Sequence, residues 1–173
     1  CQTNSGTIEA VANQANVQAA SGQMVAGGIA GTNEAGGTII ASVNSGNVFG
    51  DSSGAVGGIV GENKNSSGGA VTACLNTGML DKSANVLGGI IGTSVAGTSQ
   101  PVVVTGFWLT GTARKDQAVS AELAVGNNPG NAADGESADL ASSVIRNNNT
   151  IDKLNSALLS SSAPWKYELD ENR

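Results

Sequence analysis

The chain has 173 residues, enough for one domain with a real core, but 25 of them are glycine, only 3% are aromatic and only 13% are charged, against about 25% charged in an average chain. A disordered chain would carry more charge and an ordinary globule more aromatic mass, so the composition points to a narrow core of Val, Ile, Leu and Ala with glycine at crowded bends. Net charge is −6 and residues 1–113 hold only two basic side chains, Lys64 and Lys82, which argues against nucleic acid or an anionic membrane surface as a partner.

In chain order, the first element is a phrase that returns. Gly27-Gly28-Ile29-Ala30-Gly31 recurs as Gly57-Gly58-Ile59-Val60-Gly61 and as Gly88-Gly89-Ile90-Ile91-Gly92, at intervals of 30 and 31 residues. A second phrase travels with it. Gly6-Thr7-Ile8, Ala10, Asn13 and Val17 return 31 residues later as Gly37-Thr38-Ile39, Ala41, Asn44 and Val48, then as Gly69-Ala70-Val71, Ala73, Asn76 and Leu80. A fixed period of this length is the signature of stacked repeats. A fourth copy, Val102-Val103-Val104 through Phe107-Trp108 to Leu109-Thr110-Gly111, is degenerate, as a terminal repeat should be.

Each period holds three short β-prone stretches, in the second copy Thr38 to Val43, Asn47-Val48-Phe49 and Val56 to Val60. Strands this short, linked by Gly, Ser and Asn, suit one turn of a three-sided parallel β-solenoid. Alternation predicts that Ile39, Ala41 and Val43 point inward, stacked on Ile8, Ala10 and Ala12 and under Val71, Ala73 and Leu75. The intervening column of Val11, Ser42 and Cys74 is also small and uncharged, and a bulge would reverse this parity. Asn13, Asn44 and Asn76 are expected to form a ladder of stacked amides.

After residue 113 the pattern stops. Residues 114–136 are polar, and beyond them the period is helical: Ser137 is expected to cap a short helix containing Leu140, Val144 and Ile145, and Asn149 or Thr150 a second one with Ile151, Leu154 and Leu158 on one face. Trp165 and Tyr167 add aromatic mass beside Leu169. The expectation is an all-β parallel solenoid of about four 31-residue coils over 1–113, with 114–173 a cap over the open stack end, or a small module with short α-helices packed on the last coil.

Candidate chemistry is sparse. Gly50-Asp51-Ser52-Ser53-Gly54 matches a hydrolase nucleophile elbow, but the chain contains no histidine to serve a serine triad or most zinc and iron sites. Asp134, Glu136 and Asp139 could hold calcium, although their spacing fits no established loop and a solvated linker explains them. Glu9, Glu34, Asp51, Glu62 and Asp81 scatter over different repeat positions, with only Glu34 and Glu62 near a shared column. No catalytic, cofactor-binding or metal-binding residue is assigned. Cys1 and Cys74 lie more than one coil apart, beyond the about 7 Å limit for a disulfide, and Cys74 reads as a small buried thiol. Cys1 has two readings, the remnant of an earlier repeat in a longer polypeptide or the acylated first residue of a lipoprotein. No apolar run reaches the about 18 residues of a membrane span.

Taken together, Gly-Gly-Ile-x-Gly, Gly-Thr-Ile and Asn-x-Gly-x-Val resemble the GLUG repeat, with Ile29, Ile59 and Ile90 in place of its leucine. The resemblance covers residues 4–113, and Phe107-Trp108-Leu109, Leu154-Asn155 and Trp165 are similar to the segment that often ends such arrays. The chain departs from the pattern in lacking its frequent Cys-Tyr pair, with Ser42-Val43 and Cys74-Leu75 instead. The resemblance implies a non-enzymatic, adhesin-like or stalk segment of a secreted or surface-anchored protein of the Bacteroidales type, on the outside of a Gram-negative cell, with a glycan or protein partner. A polysaccharide-binding or polysaccharide-degrading β-helix is the alternative, and a purely intramolecular spacer a third.

Overall fold

The computed structural model describes residues 1–95, 100–113, 122–127, 133–134, 136–159 and 166–169. Its first winding carries β1 (Thr3–Asn4), β2 (Thr7–Glu9), β3 (Ala12–Asn13), β4 (Val17–Gln18) and β5 (Val25–Gly27), and the second β6 (Ala30–Asn33), β7 (Thr38–Ile40), β8 (Val43–Asn44), β9 (Val48–Phe49) and β10 (Ala55–Gly57). The third carries β11 (Val60–Asn63), β12 (Val71–Asn76) and β13 (Val86–Gly88), and the fourth β14 (Ile91–Ser94) and β15 (Val103–Leu109). There follow β16 (Val125–Asn127), β17 (Ala138–Leu140), α1 (Ser142–Ile145) and α2 (Asn148–Leu158). Strand pairs with strand one period away, always in parallel among the described residues, so the chain is a β-solenoid of about four turns. The three repeat isoleucines sit directly above one another: Ile29 N–H donates to the Ile59 carbonyl and Ile59 N–H to that of Ile90, both at 2.9 Å, and all three side chains are buried.

The described strands form four sheets rather than three sides, because the expected strand Val56 to Val60 is two, β10 and β11, that part at Gly58-Ile59 and join different sheets. The repeat glycines exist for close approach. A Cβ on Gly57 would lie 2.5 Å from the backbone nitrogen of Gly92 in the next winding. A Cβ on Gly58 would collide with the amide of Asn76, as one on Gly28 would with that of Asn44.

Side-chain parity reverses within the longest sheet, as a bulge would make it. Ala10, Ala41, Ala73 and Thr105 share one repeat position and a φ between 50° and 53°, a left-handed conformation that L-residues other than glycine and asparagine rarely adopt. Ile39 and Val71 point inward as expected. Ala41, Ala73 and Leu75, however, belong to a second apolar cluster on the outside, and Ser42, Cys74, Asn44 and Asn76 turn inward with no exposure. Two consecutive outward residues at each bend are the physical reason for this correction.

The inward asparagines form the expected ladder. Asn13 Nδ2 donates to Asn44 Oδ1 at 2.8 Å and Asn44 Nδ2 to Asn76 Oδ1 at 2.9 Å, while Asn44 and Asn76 also satisfy the carbonyls of Gly46 and Gly78. A second, unforeseen ladder runs Asn4, Asn33, Asn63, Ser94, with bonds of 2.8, 2.9 and 3.2 Å. Asn4 thus pairs with Asn33, although Asn4-Ser5-Gly6 reads like Asn44-Ser45-Gly46.

Stacked strands continue past residue 113, with β16 on β14 and β17 on β15. The helices lie against the flank of the solenoid. α2 packs Leu154, Ala157 and Leu158 on the outward residues Ala73, Leu75, Val104 and Phe107. Its cap is Asn147, which accepts from Thr150 N–H at 2.9 Å; Ser137 instead accepts from Gly106 N–H, and Leu140 belongs to β17. Asn155 clamps the strap 166–169 by bonding both backbone groups of Tyr167, whereas Trp165 lies outside the described residues. No described helix is long and apolar enough to cross a membrane.

Asn44→Ala removes three ladder hydrogen bonds and leaves the buried Gly46 carbonyl without its partner, while Asn76 Oδ1 keeps the Gly78 N–H and Asn13 Nδ2 the Ala15 carbonyl, so it should lower unfolding free energy by about 2 kcal/mol in urea titrations, against about 1 kcal/mol for Asn13→Ala at the half-exposed end of the ladder.

Candidate functional site

The acidic candidates are held in local structural contacts. Asp51 Oδ1 accepts from the Ser53 backbone at 2.9 Å and its hydroxyl at 2.7 Å, bonds that hold its carboxyl below the usual value. Asp81 and Ser83 repeat the same turn one coil later, so Gly50 to Gly54 is a recurring Asp-x-Ser turn and not a nucleophile elbow. Glu9 aligns with Ile40 in the sheet. Glu62 shares its column with Thr32 and Thr93, whereas Glu34 lies two residues along; Lys64 joins them, at 3.1 Å from Glu34 and 3.7 Å from Glu62, and its ammonium is held more basic than usual, chiefly by the Glu34 hydrogen bond. All three are substantially exposed, so the pairing contributes little to stability.

Asp134, Glu136 and Asp139 do not converge. Asp134 accepts from Thr105 N–H, Glu136 N–H and the Ser137 hydroxyl, Glu136 pairs with Lys153 at 2.8 Å, and Asp139 accepts from the Thr110 hydroxyl. Among the described residues no three acidic or cysteine side chains gather as a metal site would require.

Three side chains have partners that the sequence did not reveal: Trp108, Glu122 and Tyr167. Trp108 stands in register with Asn76 and ends the asparagine column, its ring against Gly89 where the earlier copies place an amide. Its indole N–H donates to the buried carboxylate of Glu122 at 3.0 Å, which also accepts from Gly111 and Ala113 backbone nitrogens. The third is Tyr167, whose hydroxyl donates to the Ala73 carbonyl and is pushed well above its ordinary range by burial. Cys74 is unpaired in the core, and burial raises its thiol to about 12; Cys1 is unpaired and exposed.

The feature that combines access with repetition is a groove of about 540 Å³ between the outward faces of two sheets. One wall is the column Val25, Ala55, Val86 with Met24; the other is Glu62, Thr93, Asn127. The walls face each other across coils, β5 with β11, β10 with β14 and β13 with β16. They converge where Gly57 meets Gly92 and Gly88 meets Gly126 without intervening side chains. A smaller crevice of about 310 Å³ lies among Cys1, Val17, Ala19 and Ala26. Compared with protein-family models, curated proteins and solved structures, the chain matches none.

The Cys74 thiol yields a signed pH dependence. Its folded value of about 12 exceeds the ordinary 9.0, so unfolding releases a proton between those limits and stability should fall by about 1.4 kcal/mol per pH unit from this group. Melts from pH 8 to 11 should show this decline weakened from its onset near pH 9 in Cys74→Ser, and a thiol reagent at pH 8 should count one cysteine in the folded chain and two after denaturation.

Proposed function

We propose that the chain is a non-enzymatic repeat segment of a bacterial cell-surface protein, an adhesin-like stalk or display scaffold that presents its lateral faces to a surface glycan or protein. The observation that carries this reading is how the repeated residues are used. Ile29, Ile59 and Ile90 stack in the core, the repeat glycines allow adjacent backbones to touch, and the asparagines bond one coil to the next. Repetition thus serves to lengthen and stiffen a rod, which is what a stalk requires. The GLUG-like phrases add the expectation of a location outside a Gram-negative cell of the Bacteroidales type.

A polysaccharide-degrading β-helix is the rival reading. It requires an acid and a base facing one substrate. Glu34 and Glu62, the nearest approach to such a pair, share the ammonium of Lys64 on the surface, and Glu62 alone borders the groove.

Incubated with host cells and with bacterial and host polysaccharides, the whole chain should bind without shortening any of them. Turnover of a polysaccharide that is lost in the Glu34→Ala, Glu62→Ala double variant would establish the rival.

A further inference from the structure

The groove walled by Val25, Ala55 and Val86 on one side and Glu62, Thr93 and Asn127 on the other is a repeated site. Each rung pairs one aliphatic side chain with one polar side chain, and rungs follow at the spacing of neighbouring strands, about 4.8 Å. This is close to the length that one pyranose adds to an extended sugar chain. A ligand that fills it must therefore be a polymer with an apolar face and a polar edge in every unit.

Peptides meet only half of this requirement. β10, β11 and β14 are hydrogen-bonded on both sides, and the sheet-end strands β5, β13 and β16 direct their free edges along the stack, toward the next winding, so the groove itself offers no row of main-chain amides to an occupant. What they offer is a hydroxyl, an amide and a carboxylate opposite an aliphatic strip that includes Met24, 61% exposed. Charge narrows the class further. Among the described residues Glu62 is the only ionisable one that lines the groove, it is tied to Lys64 at 3.7 Å, and the net charge of −6 repels polyanions.

We infer that this groove binds an extended, uncharged β-1,4-linked hexose chain, one sugar to a coil, its ring faces on Val25, Ala55 and Val86 and its hydroxyl edge on Glu62, Thr93 and Asn127. The inference rests on the surface-binding reading above and gives it a ligand class and a place. Thr93 stands at the middle rung, between Glu62 and Asn127.

Calorimetric titration of the whole chain with cellohexaose, β-1,4-mannohexaose and hexagalacturonate tests it. The two uncharged chains should bind and the acid should not, with affinity rising with length and levelling off near the three rungs of the groove. Thr93→Trp, which fills the middle rung, should weaken binding by about tenfold or more, Asn127→Ala by several-fold without added bulk, and Val11→Trp, at an exposed position between β2 and β3 outside the groove, should leave it unchanged, all with native melting curves. Absence of binding by both uncharged hexamers, or equal affinity in the Thr93→Trp and Asn127→Ala variants, overturns the proposal. Adhesion of the chain to cells that survives both groove variants would overturn the groove while leaving the surface-binding reading intact. Cleavage of a hexamer bound in the groove would do the reverse.

Discussion

The fold depends on one constraint: each residue must lie over the residue of its own kind one winding away. Backbone bonds between coils enforce this vertically, and the buried asparagines enforce it laterally, because an amide displaced by one position would lose its partner above and its carbonyl in the turn. Glycine makes the arrangement possible. The second glycine of the first two phrases leaves the space that an asparagine amide occupies, Gly28 for Asn44 and Gly58 for Asn76, so the Gly-Gly phrase and the asparagine phrase, 16 and 18 residues apart along the chain, are two halves of one contact.

The same logic explains how the stack changes at its far end. In the fourth coil Trp108 replaces the ladder amide, and a ring that cannot continue an amide ladder passes its single donor to Glu122 instead. Beyond it the solenoid still adds β16 and β17, while the apolar outer face created by the left-handed bends at Ala73 and Thr105 is covered by α2 and by Tyr167. The bend therefore has two consequences: it turns Cys74 and Asn76 into the core, and it turns Ala73 and Leu75 toward the helix.

Much of this was legible in the sequence. The period, the parallel stacking, the isoleucine column and the Asn13, Asn44, Asn76 ladder follow from residue spacing alone. The parity of the longest sheet was not legible, because alanine carries no mark of a positive φ, and the Asn4, Asn33, Asn63 ladder was hidden by the resemblance of Asn4-Ser5-Gly6 to a different turn. The place of the helices was equally hidden: an amphipathic pattern such as Ile151, Leu154, Leu158 states that a face is buried but not against what. Nothing in the sequence pointed to the groove, since Ala55 faces Thr93 only after the chain has wound once more.

Excision of one whole winding tests the central claim most directly. Removing residues 31–60 joins Ala30 to Gly61 and preserves every column; removing 46–60 cuts the same region out of phase. Stacking in register predicts that the first variant keeps a β-sheet circular dichroism spectrum and a cooperative thermal transition, and that the second loses both. Equal disruption by the two excisions, or equal tolerance of them, would contradict it.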